Sequence, residues 1–196
     1  MKDKIVSGAL SQFLQQGIRK ITMQNLAEHL AVSTKTLYKY YPNKEDLLEG
    51  CLLVHYSGII SSMNQIFEDS PNEVYSILKF YVKLTDLDFG TNALFYKDLN
   101  YYYPTLQDKI THKYSGQVVR LFTSIIKNGK LEGYFRDDIN PSVVLQALNV
   151  LYASITRNNV YKKNKLSPQA LVQQTVNIYI RGMCTEKGLR VFNNFQ

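Results

Sequence analysis

Residues 22–44 read TMQNLAEHLAVSTKTLYKYYPNK, and this stretch decides how the rest of the chain is organised. Leu26, Ala27 and Leu30 share one face of a short helix, and Leu37 with Tyr41 shares one face of a second. Thr22 stands where the first helix needs an N-cap, a side-chain oxygen for an otherwise unpaired backbone N–H, and Ser33 does the same for the second. Two such short helices with so brief a connection predict a helix-turn-helix, whose second helix is sized for the major groove of duplex DNA. Its outward positions hold Thr34, Lys35, Thr36, Lys39 and Tyr40, hydroxyls and cations suited to phosphates and base edges.

On the N-terminal side, Val6, Leu10 and Phe13/Leu14 repeat at helical spacing, which predicts a helix over 3–16 with Gly17 as its left-handed stop. On the C-terminal side, Asn43 with Asp46 forms a capping-box variant that opens a long helix through Ile66. Ser70-Pro71-Asn72-Glu73 predicts the next start, with Ser70 as cap and Glu73 closing its box. Residues 90–104 are aromatic-rich and less regular, and Pro104 disfavours helix at Tyr103. Leu106, Ile110, Tyr114, Val118, Leu121/Phe122 and Ile125 trace a helix that Gly129 is expected to stop. Asn140-Pro141 and Ser167-Pro168 open two final helices with broad apolar faces. No period-two strand pattern interrupts this series. The expectation is an all-α chain of about nine helices, divided into residues 1–48 and 49–196.

The 196 residues are 45% hydrophobic and 20% charged, ordinary for a folded globular protein. Net charge is +7, which suits a polyanionic partner. Between Gly17 and Lys44 five basic residues (Arg19, Lys20, Lys35, Lys39, Lys44) face one acid, Glu28. A second basic group, Arg157, Lys162, Lys163, Lys165 and Arg190, is read as solvated surface rather than a second nucleic-acid site. Cys51 and Cys184 lie in apolar helical surroundings and are expected to be reduced core thiols. With His29, His55 and His112 scattered, neither a metal site nor any cofactor is expected. No apolar run approaches the roughly 18 residues of a membrane-spanning helix, and a cytoplasmic protein without a membrane partner is the expectation.

The order Thr22, Leu26-Ala27, Val32-Ser33, Thr36-Leu37-Tyr38, Tyr41, Lys44-Glu45 and Leu47-Leu48 resembles the TetR family of bacterial transcriptional regulators. The resemblance covers roughly the first 50 residues; the remainder matches in layout, with Gly133 to Arg136 also similar. It implies a DNA-binding domain at 1–48 and a ligand-binding and dimerisation domain at 49–196. Thr22 would bind a phosphate, Ser33, Thr34, Lys35 and Thr36 would face the groove, Tyr38, Lys39 and Tyr40 would hold the flanking backbone, and Lys44 would meet another phosphate. It further implies a homodimer joined by the last two helices, through Val144, Leu148, Leu151, Ile155, Val172, Val176, Tyr179 and Met183. A small-molecule effector would be lined by Phe95, Tyr101, Tyr102, Tyr103 and Tyr114, although 15 tyrosines and nine phenylalanines also suffice simply to build a tryptophan-free core.

Two positions depart from the family pattern. Ala31 stands where the turn usually has glycine, costing about 1–2 kcal/mol if left-handed, and Tyr41 replaces the usual phenylalanine and must place its hydroxyl. The implied function is an operator-binding repressor, released when an effector tilts the long helix after residue 44. A DNA-binding protein without ligand control is the first alternative. An enzyme or small-molecule carrier is the second, disfavoured by the lack of a phosphate loop, metal constellation or nucleophile motif.

Overall fold

The computed structural model describes residues 1–156, 160–161 and 163–195. Their regular structure is helical: α1 (Lys2–Gln16), α2 (Met23–His29), α3 (Thr34–Tyr40), α4 (Lys44–Asp69), α5 (Glu73–Gly90), α6 (Ala93–Tyr102), α7 (Pro104–Leu131), α8 (Pro141–Thr156), α9 (Pro168–Gln174), α10 (Val176–Met183) and α11 (Glu186–Asn193). Strand-like pairing among the described residues is limited to one isolated bridge, Phe135 to Cys184. The chain is all-α, as its periodicity predicts.

Several boundaries differ from the sequence expectation for local reasons. The α5 cap is Asn72, whose Oδ1 accepts from the Tyr75 N–H at 3.0 Å; Ser70 Oγ is buried without a hydrogen-bond partner. The stretch after Gly90 is a helix, α6, because Asn92 Oδ1 accepts from the Leu94 N–H at 2.9 Å and Phe95 and Leu99 are buried. Gly129 does not stop α7, which runs to Leu131; the positive φ of 72° belongs to Gly133. Gly129 instead supplies space, since a Cβ there would collide with the Phe135 ring. The expected last helix breaks at Thr175 (φ −127°, ψ −76°) into α9 and α10. The Thr175 hydroxyl there donates to the Leu171 carbonyl at 2.7 Å, a side-chain bond that bends helices.

The chain divides into two compact units, and the division falls inside α4 and α7. The first unit is 1–61 with 90–116. Its core joins Ile5 and Phe13 of α1, Leu26 of α2, Leu37 of α3 and Leu48 of α4 with Phe95 of α6 and Ile110 of α7. Cys51 lies in this core and donates to the Val6 carbonyl at 3.5 Å, and burial pushes its thiol up to about 12. It is an inert packing group. His55, also buried, touches Tyr56 and Phe95 edge-on at ring separations of 5.6 and 5.9 Å.

The second unit is 62–89 with 117–196. Phe80 and Phe122 meet at 5.5 Å, and Tyr81, beside them, reaches Tyr152 of α8 at 5.5 Å. The Tyr152 hydroxyl donates to Asp88 at 2.8 Å. The loop after Gly133 is held to the end of α10 by Arg136 N–H on the Met183 carbonyl (2.9 Å) and Thr185 N–H on the Tyr134 carbonyl (3.0 Å). Gly188 leaves room for that Tyr134 carbonyl, which any Cβ would displace.

Candidate nucleic-acid interface

Helix α2 begins with a reciprocal cap. Thr22 Oγ1 accepts from the Asn25 N–H at 3.1 Å, and Asn25 Oδ1 accepts from the Thr22 N–H at 3.1 Å. At its other end the Val32 N–H bonds the Ala27 carbonyl at 3.0 Å and the Ala31 N–H bonds that of Glu28 at 3.1 Å. This is the pair of bonds that defines a Schellman stop. The stop requires a left-handed residue at position 31, and Ala31 has φ 52°. The departure from glycine is therefore a real strain of about 1–2 kcal/mol. The turn geometry survives because Leu26, Leu30 and Leu37 are all buried on its inner side.

Helix α3 follows at once, capped by Ser33 Oγ on the Thr36 N–H at 3.0 Å. Leu37 is its fully buried anchor. With that residue inward, Thr34, Lys35, Tyr38, Lys39 and Tyr40 are exposed. Thr34/Tyr38 and Lys35/Lys39 are pairs one turn apart, so they form two parallel rows along the helix. Thr22 and Ser33 are exposed beside their helix starts, while Thr36 is half-buried with its hydroxyl 2.8 Å from that of Ser33. The exposed rows hold cations, hydroxyls and two phenol rings, the groups that contact phosphate and base edges.

Lys44 has a different immediate partner from the one its sequence position implies. It is half-buried, and its Nζ donates to the Ile18 carbonyl at 2.6 Å, with the Arg19 carbonyl at 3.5 Å. Burial pulls its ammonium below the usual lysine range, and the Asp98 carboxylate partly offsets this. Asp98 itself is buried on α6, and its Oδ2 accepts from the Ile18 N–H at 2.9 Å and the Arg19 N–H at 2.7 Å. Asn92, at the start of α6, adds bonds to the Leu14 and Gln15 carbonyls at 2.8 and 2.9 Å. The turn between α1 and α2 is thus gripped from both sides. Gly17 makes the approach possible: it has φ 84°, and a Cβ would lie 2.8 Å from that of Leu94. From the sequence Asp98 reads as a surface charge; it is buried instead, because its partners lie about 80 residues earlier, where no local pattern reports the pairing.

Of the residues expected around an effector, Phe95, Tyr103 and Tyr114 share the core of the first unit, while Tyr101 and Tyr102 are exposed. Phe95 is sealed in the first unit's core, whereas Tyr101 is 75% exposed. Tyr102 accepts from Arg19 Nη1 at 2.8 Å. Tyr103 is the C-cap of α6. Tyr114 donates to the Leu53 carbonyl at 3.0 Å and stacks on Tyr56. A cavity of about 450 Å³ lies instead in the second unit, lined by residues that include Phe67, Glu68, Ser70, Glu73, Asn128 and Glu132. None of the five aromatic residues lines it.

Of the expected dimer residues, Val144, Leu148, Ile155, Val172, Val176 and Met183 are buried within the second unit, and Leu151 and Tyr179 are half-buried. The exposed apolar side chains on α8 and α10 are Val143, Val150 and Ile178. Both helices carry apolar residues on more than one face, so periodicity alone did not separate inward from outward positions. In the second basic group, Lys163, Lys165 and Arg190 are exposed; Arg157 and Lys162 lie outside the described residues.

Residues 5–51 match the model of the bacterial regulatory proteins, tetR family. The chain carries a TetR-family N-terminal domain. Over 78 residues it is 32% identical to the nucleoid occlusion factor SlmA of Aliivibrio fischeri (strain MJ11), a match covering 39% of each protein. The SlmA protein of Vibrio cholerae serotype O1 is 25% identical over 91 residues, 44% of this chain and 46% of that one. The chain thus matches less than half the length of these curated relatives. Solved structures extend the likeness along the whole chain. A TetR-family transcriptional regulator from Marinobacter aquaeolei VT8 superposes with a TM-score of 0.74 at 19% identity, covering 100% of this chain and 98% of that one. Another from Cytophaga hutchinsonii gives 0.74 at 14% identity, covering 94% and 95%. At such identities the likeness is one of fold: a TetR-type helix-turn-helix followed by a helical C-terminal region.

Proposed function

We propose that this chain is a sequence-specific transcriptional regulator, a dimeric repressor released from its operator by a small molecule. The observation that carries the reading is the strained Schellman turn, which sets α3 outward with Thr34, Lys35, Tyr38, Lys39 and Tyr40 exposed together. Thr22 and Ser33 flank that surface, and Lys44 supports it from behind by fixing the preceding turn. Val143, Val150 and Ile178 are the apolar side chains available to a second copy. A dimer would set two α3 helices about 34–36 Å apart, matching successive major grooves.

The hollow of the second unit leaves room for a small molecule. Glu68, Glu73 and Glu132 border it, Glu68 and Glu132 at exposed positions, with Lys187 Nζ donating to the Glu132 carbonyl at 2.6 Å. The protein would act in the cytoplasm, where the operator is. Footprinting on genomic DNA tests the reading: a few near-palindromic sites would support it, and no protected site would remove it. The SlmA matches favour a second reading, a nucleoid-associated role, for which the same footprint would show many dispersed sites rather than one operator. A third, DNA binding without ligand control, predicts that filling the cavity leaves the footprint unchanged.

A further inference from the structure

The turn gripped by Asp98 and Lys44 carries Arg19, a cation with an arrangement of its own. Arg19 is exposed, yet its side chain is not left to wander. Its guanidinium lies over the Tyr102 ring with the carbon 5.1 Å from the centroid, and Nη1 donates to the Tyr102 hydroxyl at 2.8 Å. Its own backbone N–H is fixed by Asp98 at 2.7 Å. Arginine has five N–H donors, and this set uses one. Among the described residues Arg19 forms no ion pair. Lys20, beside it, is exposed too, and Thr22, at the start of α2, is three residues further on. An ordered, unneutralised guanidinium presents a planar fork suited to a phosphate. Its long side chain has already lost much of its rotamer freedom on the Tyr102 ring, so less remains to be lost on contact.

We propose that Arg19 is a DNA-phosphate contact and that Tyr102 and Asp98 of α6 are its positioning residues. The DNA-contacting surface then includes a cation from the turn before α2, aimed by a helix outside the sequence-defined head. The inference rests on the DNA-binding reading above. It assigns α6 a direct share in affinity: a shift of α6 that releases Tyr102 or Asp98 disorders Arg19 even with α3 unmoved.

The test is the salt dependence of affinity for random-sequence duplex DNA of about 30 base pairs, measured with the full chain. Each phosphate neutralised contributes about 0.9 to the slope of log affinity against log salt. Arg19→Ala is expected to weaken binding about tenfold and to flatten the slope by about one contact, with thermal unfolding unchanged. Tyr102→Phe keeps the ring and removes the acceptor; it is expected to weaken binding two- to threefold, about a few tenths of a log unit, with the slope retained. Lys163→Ala removes the same charge from the second unit and is expected to leave the slope alone. Arg19→Ala with a wild-type slope overturns the contact, as does an equal change from Lys163→Ala. Tyr102→Phe indistinguishable from wild type overturns the positioning. If wild-type protein shows no salt-dependent binding, the DNA-binding reading itself falls, an outcome visible in the wild-type curve alone.

Discussion

The two units bond their turn-forming polar groups alike but to different ends. In the first, Thr22, Ser33, Asn43, Asn92 and Asp98 each accept from a backbone N–H, and Lys44 answers two carbonyls. In the second, Asn72, Asn140, Ser167 and Thr185 accept in the same way, and among the described residues each unit leaves one buried side-chain atom unpartnered, Gln107 Oε1 in the first and Ser70 Oγ in the second. The difference lies in what the bonds hold: in the first unit they fix the turn before α2 and the starts of α2 and α3, and so a surface. In the second, the unpartnered Ser70 borders a hollow, which costs stability but leaves something for a ligand to satisfy.

Substitutions can break or sharpen that contrast. The largest effect is expected from Phe95→Ala. This ring is fully buried against His55 and Tyr96, so its loss should destabilise by about 3–5 kcal/mol in a denaturant titration. A small loss of stability accompanied by lost effector response would instead make Phe95 a ligand contact. Thr22→Ala removes one half of a reciprocal cap and should cost about 1 kcal/mol of unfolding free energy. Ala31→Gly should act in the opposite direction, relieving φ 52° and raising stability by about 1 kcal/mol. If calorimetry shows no gain, the turn is not strained and the first unit is less tightly determined than its bonds suggest.

A pH profile probes the same unit. Burial holds the His55 imidazole below its ordinary 6.5. The unfolded chain therefore takes a proton at His55 before the folded protein does. Stability is complete above about pH 6.5 and falls as pH drops below it, until the folded imidazole also protonates, with a slope of at most about 1.4 kcal/mol per pH unit from this group. His55→Gln should remove that part of the slope, as read by urea titrations at pH 7 and 5.5. The smallest effect is expected from Ser70→Ala. With no partner to lose, it should shift stability by less than about 0.5 kcal/mol or raise it slightly. A loss above about 1 kcal/mol would mean that ordered water satisfies Ser70 and that the cavity is hydrated.

The same contrast explains how much the sequence disclosed. Thr22, Ser33 and Asn43 were legible because each cap bonds a backbone group three residues away, and Leu37 because its period points it inward. The strain at Ala31 was legible as a conditional, needing only φ to settle it. Asp98 was not legible, since its partners are separated by about 80 residues. Nor was the inward turn of Lys44, whose position at the start of α4 points equally to a phosphate. In the second unit, Ser70-Pro71 imitates a helix start so well that the true cap, Asn72, was passed over. On α8 and α10, apolar residues on more than one face hid which of them stay outside.

The grip of α6 on residues 14–19 has a consequence for protein engineering. Chains of this fold invite chimeras, in which the N-terminal helices of one are spliced to the C-terminal region of another. A splice near residue 48 in this chain would strip the Ile18 and Arg19 amides of Asp98, the Leu14 and Gln15 carbonyls of Asn92, and the core of Phe95 and Leu99. The transferable cassette is discontinuous, 1–61 together with 90–116. A graft that carries both segments should keep the donor's turn and the surface of α3 as they are, and one that carries only the first should arrive with its first turn unmoored.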